Sequence, residues 1–150
     1  MTVQEEKTAA CIVRLIEQGG QRTGTGFFVA PGYVLTCAHV VEPRAGEPVS
    51  QFSVEHSMGS WPSTPEQLRP DRTADLALLR VPSTEHPCLL FGAAVEPTDI
   101  VWTQGYIVKQ EEIRLEPMTG EVEGERRARL EAGGAEYTLI KFKGGQVVPA

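Results

Sequence analysis

Two residues of the chain, His39 and Asp75, could together carry acid–base chemistry. An unperturbed imidazole has a pKa of about 6.5, so it can take a proton from a hydroxyl group and return it to a leaving group. A carboxylate on the other ring nitrogen would fix the tautomer and stabilise the imidazolium. Asp75 opens an apolar run, where a carboxylate is costly to bury without a partner. Taken singly, however, His39 is more simply a hydrogen-bonded core histidine and Asp75 a turn residue at a strand end.

Both residues lie in recognisable motifs. The segment from Gly24 to Val41 reads GTGFFVAPGYVLTCAHVV, and the downstream run that Asp75 opens reads DLALL. These motifs, in this order, resemble those of the trypsin-like (chymotrypsin-fold) serine peptidases. The resemblance implies that His39 is the general base and acid and that Asp75 orients it, because the family's triad has the order His, Asp, Ser.

The nucleophile of such a triad is not found in the sequence. The family places its serine in a Gly-x-Ser-Gly loop, but the last serine here is Ser83 and the last cysteine is Cys88. Ser60 lies upstream of Asp75 in a proline-rich stretch, which is the wrong place. Cys37 is expected to be a small buried residue and not a nucleophile. We therefore expect no nucleophile within these 150 residues.

The elements that must position His39 and Asp75 are predicted to be short strands, since fifteen glycines and eleven prolines supply many turns. The two other histidines, His56 and His86, neighbour loop residues and are expected to be exposed and non-catalytic. Prolines within 57–73 predict a long surface loop there, the pair Gly144-Gly145 predicts a turn, and no long helix is indicated. Strands are predicted at 9–16, 27–29, 33–36, 51–56, 76–81, 88–91, 100–108, 119–129 and 136–142.

This pattern predicts an all-β fold, and the resemblance implies two six-stranded Greek-key β-barrels. Residues 1–92 would form the N-terminal barrel with His39 and Asp75, residues 93–99 a connector, and residues 100–150 the first part of the second barrel. The segment FKGGQVVP is similar to the strand that leads into the family's nucleophile loop. We expect the serine and the closing strands to come from sequence beyond residue 150 or from a companion fragment.

Composition excludes several classes of function. The net charge of −6 and the lack of a basic stripe disfavour nucleic-acid binding. No run of eighteen apolar residues is present, so no membrane association is expected. The N-terminus lacks a signal-peptide pattern, and three cysteines without a CxxC pair predict neither a disulfide framework nor a metal site. We expect a cytoplasmic protein that needs no cofactor.

Two functions fit these observations. The first is a serine endopeptidase domain, inactive as the isolated 150-residue chain, that cuts protein or peptide substrates. Similar bacterial domains are joined to NTPase or repeat modules in larger proteins, where they resemble regulated effectors. The second is a catalytically inactive trypsin-like domain that binds a protein partner, because a fold does not guarantee an activity.

Overall fold

The computed structural model describes residues 2–19, 23–44, 46–49, 51–63, 68–92, 94, 96–109, 112–129 and 136–147. Its helices are α1 (Val3–Ala9) and α2 (Ala38–Val41). Its strands are β1 (Ile12–Glu17), β2 (Thr23–Ala30), β3 (Tyr33–Thr36), β4 (Phe52–His56), β5 (Gly59–Ser63), β6 (Leu68–Asp71), β7 (Leu76–Arg80), β8 (Ile100–Lys109), β9 (Glu112–Arg129) and β10 (Glu136–Val147). Within those ranges, the helices are all too short or too polar to span a bilayer.

Strands β1 to β7 form an antiparallel sheet in the order β5-β4-β1-β2-β3-β7-β6, which curls into a half-barrel. It has seven strands where six were expected. Alternate residues along these strands are buried, as the two-residue period of a strand requires, and they share one core. Phe28 and Leu79 are its largest fully buried side chains, and Val13, Val34 and Val54 are buried with them. Side chains of β3 and β7 pack in this core. His39 lies just after β3 in the chain, and Asp75 lies just before β7.

Strands β8 to β10 form a second antiparallel sheet in the order β10-β9-β8. Strand β8 contacts β1 and β2 of the first sheet. The backbone N–H of Tyr106 in β8 donates a hydrogen bond of 2.8 Å to the hydroxyl of Thr25 in β2. The two sheets are therefore linked at β2, the first strand of the β2–β3 hairpin.

The predicted loop over 57–73 is wrong, because β5 and β6 lie within it. Both are edge strands of the described sheet, in which β5 pairs with β4 alone and β6 with β7 alone. Pro62 and Pro70 lie in these two strands. Edge strands tolerate proline, since one side of the strand needs no hydrogen-bond donor.

Two further predictions are wrong. Residues 88–91 form no strand; Leu89 donates a single backbone hydrogen bond to Phe28, and the side chains of Leu90 and Phe91 are exposed. The pair Gly144-Gly145 makes no turn, because it lies inside β10 where the pairing with β9 shifts register.

Neither short helix was predicted. Helix α1 has seven residues, none of them buried, so it offers no apolar stripe to read. Its signal is the capping box, in which the Thr2 hydroxyl accepts from the N–H of Glu5 and the Glu5 carboxylate accepts from the N–H of Thr2.

Candidate active site

His39 lies on α2, a single turn of helix that follows β3 directly. Thr36, the last residue of β3, is buried, and its hydroxyl donates a hydrogen bond of 2.8 Å to the carbonyl oxygen of Thr25. Cys37 is the N-cap residue in extended conformation, and Ala38 and Val41 bury one side of the helix. The opposite side of the turn, with His39, faces outward.

Glycine at position 24 creates the space that this helix occupies. A Cβ atom on Gly24 would lie 2.5 Å from Cγ1 of Val40, the residue after His39. Real Cβ contacts are essentially never that short. The first glycine of the motif is thus required by the packing of the histidine's own helix against β2.

Asp75 reaches His39 because β3 and β7 are antiparallel neighbours. Thr36, at the end of β3, pairs with Ala77, near the start of β7. The residues just beyond one strand's end and just before the other's start must therefore be close in space. The N–H of Ala38 also donates to the carbonyl oxygen of Asp75 at 3.1 Å, which fixes α2 against the turn.

The two side chains form a direct pair. Nδ1 of His39 lies 2.8 Å from Oδ2 of Asp75, and the backbone N–H of His39 donates to Oδ1 at 3.0 Å. A carboxylate only accepts hydrogen bonds, so Nδ1 carries the proton. In the neutral ring, Nε2 is then left as the proton acceptor, which is the arrangement that a general base needs.

Several influences set the pKa of Asp75. Burial alone would raise it, but hydrogen bonds from the backbone and ring of His39 and the positive charge of Arg72 outweigh burial and hold the pKa below its ordinary value. Asp75 is therefore ionised at neutral pH. Its backbone has φ of +52°, a left-handed conformation that few residues other than glycine adopt. Such geometry at a charged residue is typical of a functional turn.

Arg72 joins the Asp75 turn to the loop after α2, and sequence reasoning did not single it out. Its guanidinium lies 3.6 Å from the carboxylate of Glu42 and also donates to the carbonyl oxygen of Glu42. Glu42 is only 9% exposed and also accepts a hydrogen bond from the N–H of Gly46. A buried charge of this kind requires a partner. The sequence signal for Glu42 would have been its place directly after the apolar pair Val40-Val41.

The pair is more open than the sequence suggested. The predicted burial of Asp75 is wrong in extent: its side chain is 36% exposed and that of His39 is 64% exposed. The prediction for Cys37 is also wrong, since this residue is exposed. Both errors have one cause: residues 37, 39 and 75 lie beyond the ends of β3 and β7, and their side chains are not part of the core that those strands bury.

Cys37 lies beside the pair, a position that the sequence did not predict. One ligand atom from each of Cys37, His39 and Asp75 lies within 4.8 Å of the others. Desolvation and the negative charge of Asp75 both raise the pKa of the Cys37 thiol. The thiol is consequently protonated and a poor nucleophile at neutral pH.

His56 and His86 are half-buried, so the prediction of exposure is wrong for both. They lie around the buried ring of Phe28: His86 stacks on it at 3.5 Å between ring centroids, and His56 meets its edge at 5.3 Å. Nε2 of His86 accepts the N–H of Gly32 at 3.0 Å, and Nε2 of His56 lies 2.8 Å from the carbonyl oxygen of Ala10. These are structural histidines.

Comparison with known proteins shows which family and which folds the chain is similar to. A family model described as the trypsin-like peptidase domain matches residues 24–144, whereas no curated protein matches significantly. The crystal structure of the active form of the Rv3671c protease from M. tuberculosis has a TM-score of 0.70 and 21% identity, covering 92% of this chain and 60% of that one. An inactive form of the Rv3671c protease gives 0.70 and 21%, with 95% and 68% covered. Deg5 gives 0.64 and 19%, with 99% and 77% covered.

These structural similarities confirm the predicted trypsin-like fold, which is mostly β and, within the described residues, includes the two short helices α1 and α2 besides its strands. At about 20% identity they speak for the fold alone. The chain spans 60% of the length of the active-form protease that it matches.

Proposed function

The chain belongs to the trypsin-like peptidase domain family, and on this basis we propose that it supplies the histidine and aspartate of a serine endopeptidase site. The observation that carries the proposal is the contact of 2.8 Å between Nδ1 of His39 and Oδ2 of Asp75. It uses Nδ1 and leaves Nε2 as the proton acceptor of a side chain that is 64% exposed, so a hydroxyl group of a further segment can approach the ring. Protein or peptide substrates follow from the family.

The proposed mechanism is acyl transfer through a serine ester. Nε2 of His39 takes the proton from the serine hydroxyl as its oxygen attacks the scissile carbonyl carbon, and returns that proton to the leaving amine. Water then hydrolyses the ester with the same imidazole as base. Asp75 holds the proton on Nδ1 and stabilises the imidazolium that forms in each step. No step requires a metal or an organic cofactor.

The proposed source of the serine is sequence beyond residue 150 or a companion fragment. No serine follows Ser83 in the sequence. Ser60 is not a substitute, because its hydroxyl is hydrogen-bonded to that of Ser53 at 2.7 Å on β4 and β5. Large apolar side chains at Leu90 and Phe91 are 90% and 83% exposed, a cost that a further segment covering them would remove.

The proposed setting is the cytoplasm, where the domain would act as a regulated effector joined to NTPase or repeat modules. Cysteine chemistry supports this setting, because Cys11, Cys37 and Cys88 are all free thiols, as is usual in a reducing compartment.

A serine-reactive fluorophosphonate probe tests the proposal. The complete native gene product should be labelled, and His39→Ala should abolish labelling because no base activates the serine. Glu55→Gln, which removes a surface carboxylate paired with Arg14 on another strand, is the control and should label normally. The 150-residue chain alone should not be labelled; if it is, the account of the missing nucleophile is wrong.

The alternative is a catalytically inactive module that binds a protein partner. Its one supporting observation is the same lack of a serine after Ser83. A complete gene product that folds but takes up no probe would favour this alternative over the peptidase.

A further inference from the structure

We propose that Cys37, His39 and Asp75 form a binding site for Zn²⁺ at the end of β3. One potential ligand atom from each residue lies within 4.8 Å of the other two. The sequence does not show this, because Cys-x-His with an aspartate far downstream is not a zinc-binding spacing. The antiparallel pairing of β3 and β7 brings the three residues together.

The geometry requires only small adjustments to accept the ion. Zinc ligands lie about 2.0–2.3 Å from the metal, so the ligand atoms of a tetrahedral site are roughly 3.3–3.8 Å apart. His39 and Asp75 now touch at 2.8 Å and would have to separate slightly. Both side chains are partly exposed, at 64% and 36%, so they can rotate without disturbing the core.

The donor set selects zinc over the hard cations. A thiolate and an imidazole suit Zn²⁺, whereas Mg²⁺ and Ca²⁺ prefer oxygen ligands only. On binding, the Cys37 thiol releases its proton to solvent and the Nδ1 proton of His39 moves to Nε2 through water. Sulfur–zinc, Nδ1–zinc and carboxylate–zinc bonds then replace the hydrogen bond between Nδ1 and Oδ2 of Asp75. One thiolate and one carboxylate then balance the two charges of the ion. The exposure of Cys37 and His39 leaves the fourth position open to water.

The backbone already holds the three residues in place. Cys37 and His39 flank Ala38, whose N–H is bonded to the carbonyl oxygen of Asp75 at 3.1 Å. Among the described residues, no hydrogen bond is made to the sulfur of Cys37, so zinc would displace no existing partner of the thiol. Little backbone conformational entropy remains to be lost when the metal binds.

Zinc bound here would inhibit peptide hydrolysis, since it would occupy the imidazole and carboxylate that move and hold the proton. This consequence rests on the proposed function, but the metal site does not. Metal binding can be measured on the chain itself, with no substrate or serine. Failure of the metal site and failure of the peptidase proposal are therefore distinguishable.

The test is titration of the reduced chain with Co²⁺ as a spectroscopic substitute for zinc. One equivalent should produce thiolate-to-cobalt charge-transfer absorption, and one equivalent of Zn²⁺ should abolish it. Cys37→Ser, His39→Ala and Asp75→Asn should each weaken zinc affinity by at least about tenfold, since even outer-shell changes cost that much. Circular dichroism checks that each variant is folded.

Cys88→Ser is the matched control, because Cys88 also lies near a histidine: its sulfur is 3.7 Å from Nδ1 of His86. This variant should keep the absorption and the affinity. Loss of the signal in Cys88→Ser, its persistence in Cys37→Ser, or no charge-transfer band at one equivalent of Co²⁺ would each overturn the proposed site.

Discussion

His39 makes two hydrogen bonds to the same carboxylate: its ring Nδ1–H reaches Oδ2 of Asp75 at 2.8 Å, and its backbone N–H reaches Oδ1 at 3.0 Å. The backbone contact fixes the carboxylate to the helix that carries the ring. The ring contact fixes the tautomer. Both oxygens of Asp75 are thus used by one residue, and no hydrogen bond joins the imidazole to the second sheet among the residues that the structure describes.

Asp75→Asn should slow fluorophosphonate labelling of the complete protein by a factor on the order of 10⁴. The amide keeps the shape of the carboxylate, but it cannot accept from both N–H groups and does not stabilise an imidazolium. The second-order labelling rate constant measures the effect, and Glu55→Gln serves as the control. A rate within tenfold of the wild type would mean that Asp75 is not the orienting residue.

The same pair predicts how stability depends on pH. Because His39 and Arg72 hold the pKa of Asp75 below its ordinary value, the folded state loses this stabilisation as the pH falls through the folded pKa. The difference in unfolding free energy between the wild type and Asp75→Asn should shrink as the pH falls below about 4, where Asp75 takes up its proton. Urea unfolding at several pH values, with a chelator present, measures it. A difference that stays the same or grows between about pH 4 and pH 2 would contradict this.

The sequence predicted His39 and Asp75 as a pair only through the resemblance of their two motifs to those of a known family, and they are in contact because β3 and β7 are antiparallel neighbours. It could not predict their exposure. Burial of a residue beyond a strand end depends on what packs across it, and this is a property of the tertiary structure. For the same reason, Cys37 was expected to be buried.

Gly24→Ala should destabilise the chain by about 1–3 kcal/mol. The new methyl group would lie 2.5 Å from Cγ1 of Val40, and a β-branched side chain has few alternative rotamers. Thermal or urea unfolding measures the loss. The double variant with Val40→Ala should recover most of it, since the clash is with that side chain.

Gly26→Ala is the comparison for this rescue. Its methyl group would meet Cγ1 of Val34 at 2.7 Å and also the carbonyl oxygen of Leu35 at 3.1 Å. Because a backbone atom cannot be removed, adding Val34→Ala should restore little. Equal rescue at positions 24 and 26 would show that the two glycines do not differ in this way.

His86→Ala should cost about 1–3 kcal/mol of stability. The substitution removes a ring that stacks on Phe28 at 3.5 Å and leaves the buried N–H of Gly32 without its acceptor. His86→Gln can restore an acceptor but not the ring, so its stability should fall between those of the wild type and the alanine variant. Unfolding free energies test this order, and an unchanged His86→Ala would refute the structural role.

This structural role of His86 could not be predicted from the sequence, because a histidine among loop residues has the pattern of a surface residue. His86 is half-buried because the chain after β7 returns to β2, where the N–H of Leu89 donates a hydrogen bond to the carbonyl oxygen of Phe28. The strands β5 and β6 were missed for a related reason. Proline argues against a strand only where both edges are paired, and pairing partners are not visible in a single sequence.

Thr25→Val should loosen the contact between the two sheets. Thr25 makes two hydrogen bonds with different atoms: its carbonyl oxygen accepts from the Thr36 hydroxyl, and its own hydroxyl accepts from the N–H of Tyr106. The valine variant keeps the hydrogen bond to the backbone carbonyl and loses the one to the hydroxyl, with almost no change in side-chain volume. Stability should fall by about 1 kcal/mol, and the Tyr106 amide should exchange with solvent faster than in the wild type. Thr25→Ser keeps the hydroxyl and should exchange at the wild-type rate. If valine and serine exchange alike, β8 is held against β2 by packing and not by this bond.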